Sequence, residues 1–165
     1  MATLVREEPT SAYELERGKP MPSLNHAQAQ TQLTFELARF AGTYSILSEL
    51  SIEINGKPYT PDLSIFEPRE INWFDDVVRV TDPPLIAIEI LSPTQGFSAI
   101  SADKLKTYFA HGIGTIWVVH PELQTITIFT SPTSKKTFTE GEVTDPKTPI
   151  TVNLDRIFGA VGWGS

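Results

Sequence analysis

The spacing of apolar residues changes from stretch to stretch along the chain, and each period predicts an element. From Leu24 to Ala41, Leu33, Leu37 and Phe40 recur at helical spacing, so a helix is predicted with Ser23 as its N-cap and Gly42 as its stop. Tyr44 to Ile54 alternates as a strand, Asn55-Gly56 is a tight-hairpin signal, and Thr60 to Phe66 reads as the returning strand. Residues 67 to 82 carry scattered charges, Trp73 and Phe74 but no period, which predicts a loop with a short helical turn. Ahead of all this, residues 1–12 read as an N-terminal arm, followed by a short strand over Tyr13 to Glu16.

Leu85 to Leu91 (LIAIEIL) is an almost unbroken apolar run, the pattern of a central strand covered on both faces. Ser101 to His111 predicts a helix with the core stripe Leu105, Tyr108 and Phe109, ended by Gly112. Thr115 to His120 is a second buried strand; Pro121-Glu122-Leu123 turns the chain, and Gln124 to Thr130 alternates as its hairpin partner. Further strands are expected at Lys136–Glu140 and Ile150–Leu154, then a short helix over Asp155–Phe158. The unit 85–120 has the order of a right-handed βαβ crossover. An α/β domain with a mixed central sheet flanked by helices follows.

Composition narrows the classes. The 165 residues suit one domain spanning 1–165, with no repeat, and the 13 prolines sit in connections, not in a linker. The absence of cysteine excludes a disulfide framework, a zinc-thiolate site and a cysteine nucleophile. No apolar run approaches the roughly 18 residues of a membrane helix, and the N-terminus lacks a signal-peptide core, so a cytoplasmic protein without a membrane partner is expected. The net charge of -7 argues against a broad basic face for nucleic acid; a polyanion needs a local basic patch or metal ions here.

Two acids stand out. Asp62 follows Pro61 at the start of a strand, and Glu89 lies inside the apolar run, on the face of Leu85 and Ala87, opposite Ile86, Ile88 and Ile90. A carboxylate there is costly unless it is paired or holds a cation. Lys104 lies one turn before Tyr108 on the following helix, where it can return towards both acids. Two carboxylates, a main-chain carbonyl and a lysine are the parts of a magnesium-dependent phosphodiesterase. Each residue also has a structural explanation: Asp62 as a turn cap, Glu89 paired with Arg79 or Lys104, Lys104 and Lys106 as solvated lysines, Tyr108 as packing and His26 as a satisfied interior histidine. Ser92 has no nucleophile elbow around it, and Gly112-Ile113-Gly114 precedes a strand and therefore cradles no phosphate.

Taken in order, Pro61-Asp62, Ile88-Glu89-Ile90-Leu91-Ser92-Pro93, Asp103-Lys104, Tyr108, Gly112-Ile113 and Trp117-Val118-Val119 resemble the Uma-type family of putative restriction endonucleases, within the PD-(D/E)xK nuclease superfamily. The resemblance runs from about Tyr13 to Phe129 and is most specific over 84–121. It implies the restriction endonuclease-like fold with additional β-hairpins. It implies magnesium, with manganese as a substitute, held by Asp62, Glu89 and the Ile90 carbonyl, and hydrolysis of a DNA phosphodiester with Lys104 positioning or activating water. In the superfamily the lysine normally sits two positions after the acid; Leu91 stands there, and Lys104 matches the place to which the lysine has migrated in this family. The superfamily often carries a glutamine four residues before the tyrosine, and Lys104 holds that place too. His26 matches a histidine of the family pattern and, with Tyr108, is a supporting candidate. Glu36 and Glu49 are candidate acids for a second metal. A homodimer suited to two-strand cleavage is expected, with the hairpins at Asn55 and Pro121 and the aromatics Trp73 and Trp163 as its contact. The alternatives are a catalytically inactive nuclease-fold binding or assembly protein, which the acidic balance favours, and a hydrolase of small phosphoesters.

Overall fold

The computed structural model describes residues 18–93 and 100–159, with Ala12 and Leu15. Its centre is a six-stranded sheet in the order β1-β4-β6-β7-β8-β9: β1 is Ser45–Ser48, β4 Leu63–Phe66, β6 Ile86–Ile90, β7 Thr115–His120, β8 Thr125–Ser131 and β9 Ser134–Phe138. Only β6 and β7 run parallel; every other pairing in this sheet is antiparallel. Helix α2, Ala102–His111, lies between β6 and β7 in the chain, as the βαβ pattern predicts. Ser101 caps it by accepting from the Lys104 N–H, and Gly112 stops it at φ +102, a conformation that an L side chain resists.

The sheet buries both faces, which is why β6 reads as a continuous apolar run. Ile86, Ile88 and Ile90 join Trp117, Val119, Ile126 and Ile128 beneath helix α1, Leu24–Leu37, which contributes Leu33 and Leu37. Ala87, Leu91, Ile116 and Val118 pack on the other face with Leu105 and Tyr108 of α2. A ribbon of β10, Glu142–Thr144, and β11, Thr151–Asn153, followed by the short helix α3, Leu154–Phe158, closes the α1 side.

Several elements depart from the sequence-based expectation. The expected strand Tyr44–Ile54 is two strands. Glu49 takes φ +52, and beyond it β2, Ser51–Ile54, leaves for a separate three-stranded sheet with β3, Lys57–Tyr59, and β5, Arg79–Val80. The Asn55-Gly56 hairpin therefore joins β2 to β3, with φ of +52 and +76, while β4 pairs with β1. The stretch 67–82 supplies β5, parallel to β2, and turns where a helical turn is predicted. Helix α1 ends at Leu37 and tightens into a 3-10 turn over Ala38–Phe40, and Gly42 does not adopt the left-handed stop. Strand β9 begins at Ser134, two residues before the predicted start, and β10 has no counterpart in the sequence reading. Leu15 is helical where a strand is predicted; Tyr13, Glu14, Glu16 and Trp163 lie outside the described residues.

Candidate functional site

The register of β4 on β6 pairs Leu63 with Ile88 and Ser64 with Ala87; continued by one residue, it sets Asp62 opposite Glu89. Like charges facing each other across a ladder repel, and both carboxylates are nearly inaccessible, at 0% and 3% exposure. The site has to compensate them, and the structure shows how.

Asp62 is held from two elements. Its Oδ2 accepts the main-chain N–H of Ile90 at 2.7 Å, and its Oδ1 lies 3.1 Å from Nε2 of His26. His26 reaches it because α1 buries the stripe His26, Ala29, Leu33, Glu36 and Leu37 at helical spacing. The main chain of Asp62 is also fixed: its carbonyl accepts from the Glu49 N–H at 3.0 Å and from Gln30 Nε2 at 3.3 Å.

Glu89 is held from α2. Its Oε1 accepts the Tyr108 hydroxyl at 2.8 Å and lies 3.1 Å from Nζ of Lys104. Lys104 and Tyr108 stand one helical turn apart, and the Tyr108 ring is braced edge-on by Tyr59, with centroids 5.6 Å apart.

Between the two acids sits Lys19. Its Nζ lies 3.0 Å from Asp62 Oδ1 and 2.9 Å from Glu89 Oε2, and its side chain is 8% exposed. The electrostatics follow from this packing. Burial drives the Asp62 carboxyl upward, but the His26 hydrogen bond, the charges of Lys19 and His26 and the Ile90 N–H bring it down to about 2. Burial likewise pushes Glu89 up, and Lys104 and Lys19 outweigh it, so the group lies below the usual glutamate range despite Asp62. For Lys19, burial opposes the charge and the two carboxylates prevail, raising it above the ordinary lysine value. Burial and the neighbouring Glu89 carboxylate push the Tyr108 hydroxyl well above its ordinary range, so it stays a donor.

Asp62, Glu89, Lys104, His26, Tyr108 and the main chain of Ile90 thus come together in one place. Glu36 does not join them: its Oε1 accepts from the Asn153 N–H at 3.0 Å and its Oε2 faces Arg156 at 3.6 Å, on the α3 side. Glu49 meets the site through its main-chain N–H. Arg79, the other candidate partner of Glu89, lies 3.6 Å from Glu53 instead. The sequence pattern does not single out Lys19. It lies between Gly18 and Pro20 in a stretch without period, and no local pattern marks it.

The donor set suits a hard cation. Two carboxylate oxygens, Asp62 Oδ1 and Glu89 Oε2, converge on one cationic atom, the Lys19 ammonium, which shows where a positive charge is accommodated. Among the described residues no cluster of three or more His, Asp or Glu side chains could hold an ion. A metal here would therefore draw on two carboxylates together with main-chain, water or phosphate oxygens, a set magnesium commonly accepts.

A family model named Uma2 and described as a putative restriction endonuclease matches residues 2–156. Among solved structures, a crystal structure of a putative nuclease belonging to DUF820 from Anabaena variabilis superposes with a TM-score of 0.69 at 22% identity, covering 84% of this chain and 83% of that one. At that identity the likeness shows the fold, and the fold is restriction endonuclease-like. No curated protein matches the chain.

Proposed function

The chain belongs to the Uma2 family of putative restriction endonucleases, and on that premise we propose that it is a magnesium-dependent DNA endonuclease, with manganese able to replace magnesium. The observation that carries this reading is the pair Asp62 and Glu89, whose oxygens meet at one cation beside Lys104. Asp62, Glu89 and the Ile90 carbonyl would hold the metal. When bound, magnesium would polarise the scissile phosphate and make water a stronger nucleophile at neutral pH.

The chain's own groups have distinct parts. His26 and the Ile90 N–H fix the Asp62 carboxylate, and Tyr108 fixes that of Glu89, so the acids need little reorganisation. Lys104 approaches from α2 with its side chain 23% exposed, the most accessible group of the set, and is placed to orient water or to stabilise charge on a phosphate oxygen. Its charge, with the metal, offsets repulsion between DNA and a chain of net charge -7.

The test is nicking of supercoiled plasmid in magnesium or manganese by the wild type beside Asp62→Asn, Glu89→Gln and Lys104→Met. Cleavage by the wild type, lost in the acid variants, is the expected result; cleavage retained in Glu89→Gln overturns the assignment. The acidic balance supports a second reading, a nuclease-fold assembly protein without turnover. No cleavage, together with no DNA retention at low salt in calcium, would favour it.

A further inference from the structure

Lys19 occupies the point at which a metal shared by Asp62 and Glu89 would sit. The oxygens are already apportioned: Asp62 Oδ2 serves Ile90, and Glu89 Oε1 serves Tyr108 and Lys104. Asp62 Oδ1, which His26 Nε2 also approaches at 3.1 Å, and Glu89 Oε2 are both within 3.0 Å of the Lys19 ammonium. A divalent ion bridging the same two oxygens would meet that ammonium at contact distance, and two cations do not share such a place in a buried site.

We propose that Lys19 is a tethered counter-cation that fills the metal position in the metal-free protein and is expelled when a divalent ion binds. The proposal rests on the metal-site reading given above. With Lys19 in place, its ammonium and that of Lys104 balance the two carboxylates, with His26 as a further partner of Asp62, so the paired acids are compensated without metal. Exchanging the ammonium for a divalent ion leaves one net positive charge, which suits a phosphodiester anion. The tether permits the exchange. Lys19 follows Gly18, whose φ of +68 turns the chain, and residues 20–23 carry no helix or strand before α1 begins at Leu24. Release of the ammonium therefore breaks no strand ladder and no turn of helix. Lys19 and the metal compete for one place, so anything that draws Lys19 away favours loading of the site.

Two measurements on the full chain test this. The first is manganese binding by calorimetry for the wild type, Lys19→Gln and Asp62→Asn. Lys19→Gln should bind at least about tenfold tighter than the wild type, because no cation has to leave; equal or weaker binding overturns the proposal. The second needs no variant: acetylation of amines by a small activated ester, read by mass spectrometry with the exposed Lys106 as internal reference. Manganese at saturation should raise the labelling of Lys19 relative to Lys106 several-fold. If manganese binds the wild type and Lys19 labelling does not move, Lys19 stays in place and the inference falls while the metal site stands. If neither the wild type nor Lys19→Gln binds manganese, the metal reading falls and takes this inference with it.

Discussion

The Tyr108 hydroxyl donates to Glu89 Oε1 at 2.8 Å, onto the oxygen that Lys104 approaches at 3.1 Å. One turn of α2 thereby holds one carboxylate oxygen and leaves the other, Oε2, to the Lys19 ammonium at 2.9 Å. The helix that closes the βαβ unit also sets the aim of the strand's only acid.

Tyr108→Phe isolates that aim. The ring, its packing and its edge contact with Tyr59 remain while the donor goes. A bond to a charged acceptor is worth about 1.5–3 kcal/mol, so urea unfolding should show a loss of that order. Metal-dependent cleavage should fall roughly tenfold, equivalent to about 1.4 kcal/mol in the barrier. Unchanged stability would mean that the hydrogen bond contributes nothing net.

Lys104→Met separates chemistry from metal affinity. It keeps the stem and removes the charge at Glu89 Oε1. Cleavage should drop by roughly a hundredfold or more, as for loss of a group stabilising developing charge. Manganese affinity, measured in parallel by calorimetry, should change far less. A loss confined to affinity would assign the lysine to metal binding.

Acid should weaken the metal-free protein through Asp62 in a defined window. Its folded value, about 2, lies below the ordinary 3.8, so the folded state binds its proton less readily than the unfolded chain. The resulting stability is present above pH 3.8 and disappears as the pH falls through about 2. Its size is on the order of 2 kcal/mol. The difference between urea midpoints of the wild type and Asp62→Asn, followed from pH 6 downward, should move through that window in this direction; a flat difference would sink the assignment.

Asp145 is a buried acid with a different duty. It accepts from Thr115 Oγ1 at 2.5 Å, Trp117 Nε1 at 3.0 Å and the N–H groups of Lys147 and Thr148 at 3.0 and 2.9 Å. Asp145→Ala strands four donors and should cost about 3 kcal/mol or more. Manganese binding by the protein that remains folded should be unchanged. Loss of binding at full stability would contradict the separation of the two acids.

The sequence announces the central strands because burial on both faces leaves no alternation to misread, and Glu89 stands out within Ile86–Ile90 for the same reason. Gly112 marks the end of α2 to the residue because a cap acts locally, while Ser101, read as the first helical residue, is the N-cap. The break at Glu49 is not legible: residues 44–54 keep a strand pattern while the chain changes sheets, and a single left-handed residue makes the difference. Lys19 is hidden for a related reason. Its role depends on the register that sets Asp62 opposite Glu89, a relation among residues 19, 62 and 89 that no local window contains.

That break at Glu49 has a mechanical consequence. By diverting the chain into the small sheet, it carries Tyr59 across to prop the ring of Tyr108. The three short strands thus act as a splint for α2, keeping the tyrosine from swinging off the glutamate. Loosening the hairpin at Asn55-Gly56 would then reach the acids through the edge contact of two rings, without altering any group that touches them.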